Sequence, residues 1–304
     1  MHQVDVVSLI VIALGLAIAA GIPALFPRLP VPGVVLEIMF GAIVGPQVLG
    51  FVHPHVTLNF LSNLGLGMLF LMAGFEIDPG ALRGKPIHRA VMGWIMSAVI
   101  ASAAAALLFA TGVAVAPEMC ALALSTTAIG ALMPVLRDSG LLRPPYGPLV
   151  LAGGAVGEAA PVIVLSLLLA RGSAPLQSLI MIGFAAATLV AVLLAARARQ
   201  RIFAPLFART MKTSGQFPMR LALCLLIVLA LVAERLHIEL VLGGFAAGAI
   251  MRAALSDEER EDFGVRLDGL GSAFLVPVFF IASGVGLDVA ALFASPAALA
   301  MVPV

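Results

Sequence analysis

Pro148-Leu-Val-Leu-Ala-Gly-Gly-Ala-Val-Gly-Glu-Ala-Ala-Pro-Val-Ile-Val-Leu-Ser-Leu-Leu-Leu-Ala170 is an apolar run with Glu158 near its middle and no Lys or Arg inside it. About 20 such residues in a helix cross the hydrocarbon layer of a bilayer. A carboxylate at mid-bilayer costs about 2.5–3.5 kcal/mol even on the mild insertion scale, so an acid kept there is a functional candidate by default. The rest of the chain bears on both halves of that reading, the membrane and the acid.

The composition agrees with the membrane. Of 304 residues, 62% are hydrophobic and 11% charged, against roughly 25% charged in soluble domains. Cys120 and Cys224 both fall inside apolar runs and read as small core residues rather than a disulfide framework. The start, Met1-His-Gln-Val-Asp5, lacks a basic leader, and Val6–Phe26 is long enough to span, so it reads as a retained first helix.

Eleven spanning runs are expected: Val6–Phe26, Val31–Val52, Leu58–Ile77, Ala90–Thr111, Met119–Leu136, Pro148–Ala170, Pro175–Ala196, Pro218–Ala233, Ile238–Leu255, Leu270–Leu287 and Ala290–Val304. Lipid cannot satisfy backbone groups, so each must be helical. Alternating the connections puts all Lys and Arg on one face except Arg171 and Arg235. A missed helix would scramble that division. The basic face is expected to be cytoplasmic and the N-terminus outside, in the inner membrane. The eleventh run stops with the chain at Met301-Val-Pro-Val304, which reads as a truncation.

Phe70-Leu-Met-Ala-Gly-Phe-Glu-Ile-Asp-Pro-Gly-Ala-Leu82 shares Phe, Gly, Asp, Ala and Leu, at one offset, with Phe280-Ile-Ala-Ser-Gly-Val-Gly-Leu-Asp-Val-Ala-Ala-Leu292. Gly41-Ala-Ile43 recurs as Gly248-Ala-Ile250. Matching spans lie an odd number of crossings apart, so the copies are inverted. Inverted repeats mark secondary transporters, whose sites lie at mid-membrane between the copies. The expected fold is all-α, with a first repeat over 31–170, a cytoplasmic linker over 197–217 and an incomplete second repeat over 238–304.

The fifth span carries Ser125-Thr-Thr-Ala-Ile-Gly130 and then Pro134. Thr and Gly hold helix poorly and Pro removes a donor, so this segment reads as a discontinuous helix with carbonyls and hydroxyls free to face a cavity. Ser125, Thr126 and Thr127 therefore join Glu158 as candidate ion-site residues. Burial disfavours a carboxylate's charge. Such a group is stabilised by a proton or by a monovalent cation, and holding both is unfavourable. Competition of that kind makes an exchanger. The plainer alternative is a protonated Glu bridging two helices.

The other polar positions read as secondary. Glu37, early in the second span, suits a helix-positioning role better than ion binding. Asp78 sits at the third span's end beside Arg83 and Lys85, and Asp288 is its repeat counterpart. The segment from Arg197 to Lys212 interleaves Arg with Phe203 and Phe207, as an amphipathic stretch on an anionic leaflet would. Asp257-Glu-Glu-Arg-Glu-Asp262 reads as a solvated loop. His53 and His55 make an incomplete metal set. No cofactor or metal beyond the transported ion is expected, and no nucleic acid.

These motifs together resemble the monovalent cation:proton antiporter family, in its bacterial sodium/proton exchanger and potassium-efflux branch. Pro32-Gly-Val-Val-Leu-Glu-Ile-Met-Phe-Gly-Ala-Ile-Val-Gly-Pro46 is similar to that family's early Pro, Glu and Gly-Pro motif. Phe70 to Leu82 resembles its Phe-Leu-Ala-Gly-Leu-Glu-Leu-Asp segment, and Pro277 to Asp288 its later Pro-x-Phe-Phe segment. The resemblance implies unwound helices crossing at mid-membrane beside an acidic pair on the following helix. Ser125–Gly130 falls on the first unwound helix and Gly157-Glu158 on the pair. Here Gly157 stands for the first acidic member, and Glu replaces Asp in the second.

The resemblance implies exchange of Na⁺ or K⁺ for H⁺ by alternating access, with Glu158 as carrier. It also implies a homodimer through a panel of helices, where Gly41-x-x-x-Gly45 and Gly244-x-x-x-Gly248 would suit close packing. The rival readings are a truncated or non-transporting protein of this fold, and a sodium-coupled organic anion carrier. No nucleophile–base pair or phosphate loop suggests an enzyme.

Overall fold

A computed structural model describes residues 6–25, 32–76, 85–112, 116–127, 147–168, 174–210, 215–236 and 238–289. These residues are helical and carry no strand. The helices are α1 Val6–Leu25, α2 Gly33–Val44, α3 Val56–Glu76, α4 Lys85–Ala110, α5 Pro117–Leu124 and α6 Gly147–Leu168. Then come α7 Ala174–Ala198, α8 Ala204–Thr210, α9 Phe217–Arg235, α10 Leu240–Ala254, α11 Asp257–Leu270 and α12 Val276–Val285. Among the described residues, five helical segments are long and apolar enough to cross a membrane, and four shorter apolar ones accompany them. Ala290–Val304 and Asp78 lie outside the described residues.

Many large apolar side chains face outward, among them Met96, Val99 and Ile100 of α4, each at 64% exposure, and Leu179 and Ile182 of α7, each at 65%. Helices this apolar on their outer face are at home in lipid.

The helices group into two compact units, Met1–Leu69 with Glu261–Val304, and Phe70–Arg260. In the first, Ile12, Val44, Leu58, Val278 and Ile281 form a core. Its tightest crossing is α2 on α12. A Cβ on Gly41 would strike the carbonyl of Ile281, and one on Gly284 would strike the carbonyl of Ile38. In the second unit, a Cβ on Gly248 of α10 would strike the carbonyl of Leu71, and one on Gly74 the carbonyl of Phe245. Hydrogen in place of a side chain is what lets these backbones touch.

Two connections differ from the sequence expectation. The acidic stretch from Asp257 is the first turn of a helix, not a loop. Glu259 supplies the carboxylate arm of a capping box, its Oε2 accepting from the Ser256 N–H and hydroxyl at 2.9 and 2.7 Å. Acidic residues suit a helix N-terminus, where the macrodipole is positive. The helix then runs through a π turn at Gly271–Leu275 into α12.

The arginine-rich stretch likewise continues α7 through a π turn at Arg199–Phe203 into α8. The apolar stretch Leu179–Phe207 has 29 residues, about 43 Å at 1.5 Å per residue, so it overruns a ~30 Å hydrocarbon layer. Phe207 does not face lipid there. It is fully buried, with its ring 5.4 Å from Phe203 and 6.1 Å from Phe217. An aromatic corner between α8 and α9 outcompetes the leaflet for this side chain.

Candidate ion-binding site

The short helix α5 starts with Pro117 in its first turn, where the missing N–H is no loss. It stops at Leu124 because its hydroxyls bond backward. Ser125 Oγ and Thr126 Oγ1 both donate to the Leu122 carbonyl at 2.9 Å. Ser125 N and Thr126 N bond carbonyls of the last turn. Thr126 and Thr127 then lie outside the helix, and Ala128–Gly130 lie outside the described residues.

Released from α5, the backbone of Thr127 crosses to α6. Its N–H donates to the Gly157 carbonyl at 2.9 Å. The acceptor is available because of Pro161. In an unbroken α-helix the N–H of residue 161 would bond the carbonyl of residue 157, and proline has none. Gly157 also makes room: a Cβ there would lie 2.6 Å from Thr127 Oγ1 and 2.9 Å from Thr127 Cβ. Gly157 and Pro161 thus dock the broken end of α5 one residue before Glu158. The sequence reading missed Pro161, although a proline four residues after the site glycine is a legible signal.

Glu158 is half-buried and lines a cavity of about 420 Å³ formed by α6, α7, α10 and Phe70. Of the described lining residues only Glu158 and Thr188 carry polar side chains; Phe184, Val192, Val241 and Phe245 are typical of the rest. Thr188, on α7, was not among the sequence candidates. Ser125, 5% exposed, lines a separate cavity of about 200 Å³ with Trp94, Ser102 and Glu118. The structure therefore brings Thr127 to Gly157, the residue before Glu158, and sets Ser125 on a second cavity. Thr126 is exposed.

Glu37 is half-buried on α2, in the unit that does not contain Glu158. Asp288 follows α12 and is exposed. Among the described residues, no three His, Cys, Asp or Glu side chains cluster as a metal site.

Apolar helices, five of them among the described residues long enough to cross a membrane, define a multi-pass α-helical membrane protein. Residues 14–304 match the family described as sodium/hydrogen exchanger, transmembrane, and the chain belongs to that family. It is 30% identical to the putative Na⁺/H⁺ antiporter YjbQ of Bacillus subtilis, over all of this chain and 51% of that protein. It is 29% identical to the high-affinity Na⁺/H⁺ antiporter NhaS3 of Synechocystis, covering 88% of this chain and 59% of the relative. Against the Na⁺/H⁺ antiporter NhaS4 of Synechocystis it is 26% identical, over 92% and 72%. The chain thus spans about half the length of YjbQ.

Proposed function

We propose that the protein exchanges a monovalent cation for H⁺ across the inner membrane by alternating access, with Glu158 carrying either ion. The cation is Na⁺, the ion in the names of its relatives; K⁺ fits the sequence chemistry equally. The observation that carries this reading is the bond from Thr127 N to the Gly157 carbonyl. It brings the end of a broken helix against the residue preceding the half-buried acid. A carboxylate on the helix that receives this broken end can trade a proton for a cation. The described residues lining its cavity include no base, which disfavours an organic anion as cargo.

The paired glycine crossings support an inverted repeat. Gly41 and Ile38 recur 207 residues later as Gly248 and Phe245, and Leu71 and Gly74 recur 210 later as Ile281 and Gly284. The contacts recur with them: Gly41 meets the carbonyl of 281 as Gly248 meets that of 71, and Gly284 meets that of 38 as Gly74 meets that of 245. On this reading 31–170 and 238–304 belong to the two copies, the N-terminus lies outside, and the protein forms a homodimer.

The test is exchange in vesicles read with a pH-sensitive dye, using full-length protein. Glu158→Gln keeps the size of the side chain and abolishes its charge. It should reduce Na⁺-driven proton movement to the rate of protein-free vesicles. Exchange at the normal rate in this variant would remove Glu158 from the mechanism.

A further inference from the structure

Thr188 is the other polar side chain on the apolar cavity that Glu158 lines. Membrane-helix hydroxyls ordinarily bond their own backbone, and several here do. Ser102, Ser125, Thr126 and Ser283 donate to a carbonyl three or four residues back, at 2.7 to 2.9 Å. Thr188 makes no such bond and has no other hydrogen-bond partner among the described residues. A membrane-helix hydroxyl without a hydrogen-bond partner is unfavourable unless something polar comes to it. The cavity's other polar group is the carboxylate.

A hydroxyl offers lone pairs to a cation and also accepts a proton's hydrogen bond. It can therefore serve Glu158 in both states without changing its own charge. We propose that Thr188 is a cation-binding residue of the Glu158 site, supplied by α7. Its oxygen coordinates the monovalent cation held by Glu158, and it accepts the hydrogen bond of the protonated carboxyl when the cation has left. This rests on the reading of Glu158 as the carrier. It adds to the acid and the broken helix a ligand from a third helix, one that neither the Ser-Thr-Thr segment nor the acid motif contains.

The experiment compares wild type, Thr188→Val, Thr188→Ser and Glu158→Gln as full-length protein in vesicles. Two quantities are read, the Na⁺ concentration for half-maximal exchange and the maximal rate. Val keeps the shape and removes the oxygen; Ser keeps the oxygen. Thr188→Val should raise the half-maximal Na⁺ by roughly five- to tenfold, as loss of one neutral oxygen partner would, with the maximal rate within about twofold. Thr188→Ser should stay within about twofold of wild type in both. A wild-type half-maximal Na⁺ in Thr188→Val, beside a dead Glu158→Gln, overturns the Thr188 role and leaves Glu158 standing. Normal exchange by Glu158→Gln overturns the underlying reading. If Thr188→Val does not reconstitute, proton release on Na⁺ addition is followed with purified Thr188→Ala and Thr188→Ser. A higher Na⁺ midpoint in Ala than in Ser supports the proposal, and equal midpoints overturn it.

Discussion

Replacing Gly157 with Ala should loosen the docking of α5 onto α6. The new Cβ would sit 2.6 Å from Thr127 Oγ1 and 2.9 Å from its Cβ, whereas ordinary contact begins at 3.4 Å. Thr127 must therefore retreat by about 0.8 Å along its closest line, or turn about χ1, where a β-branched side chain has few choices. Its N–H is bound to the Gly157 carbonyl at 2.9 Å. A retreat of that size takes the bond past 3.5 Å, beyond useful length. Overpacking costs roughly 1–3 kcal/mol and the lost bond about 1 kcal/mol, so the variant should lose about 2–4 kcal/mol of local stability.

Two assays read this. Thermal unfolding in detergent should show a lower midpoint, and vesicle exchange should show a higher half-maximal Na⁺, because Glu158 follows directly. Adding Thr127→Ala removes the nearest clashing atom and should restore part of both losses, a coupling that distant sites would not show. A Gly157→Ala protein with wild-type midpoint and wild-type half-maximal Na⁺ would refute the docking geometry. So would a double variant whose losses simply add.

Three further outcomes follow from the packing. Gly41→Ala and Gly248→Ala each push a methyl into a facing backbone carbonyl and should lower the unfolding midpoint, whereas Gly93→Ala on α4, with open space around it, should leave it unchanged or raise it slightly. Phe207→Ala should destabilise by about 3–5 kcal/mol, as a buried aromatic does; a side chain merely resting on the leaflet would change vesicle binding and leave the midpoint alone. Glu259→Ala removes the carboxylate that accepts from the Ser256 N–H and hydroxyl and should cost about 1 kcal/mol at the start of α11, visible as faster amide exchange over the first turn of that helix.

Sequence by itself determined the membrane class and the bounds of several helices. The α1, α3, α4, α6, α7 and α9 helices begin and end within a few residues of their expected runs. In lipid, hydropathy and helix formation are the same constraint. The break after Leu124 was also legible, from Ser125-Thr-Thr and their backbone-seeking hydroxyls. The capping box at Ser256 and the proline after Gly157 were present as local signals and were passed over. Neither needs a tertiary contact to be read.

Tertiary structure decided what no local pattern holds. It placed Phe207 in an aromatic corner rather than at a leaflet, since the partner rings come from Phe203 and from Phe217 on another helix. It directed the Thr127 N–H to the one carbonyl that Pro161 releases. It also set Thr188 on the cavity of Glu158 and Ser125 on a different one, because which helix face meets which cavity depends on how the helices rotate against each other. An apolar helix in lipid carries almost no sequence signal for that rotation, its outward and inward faces being equally hydrophobic.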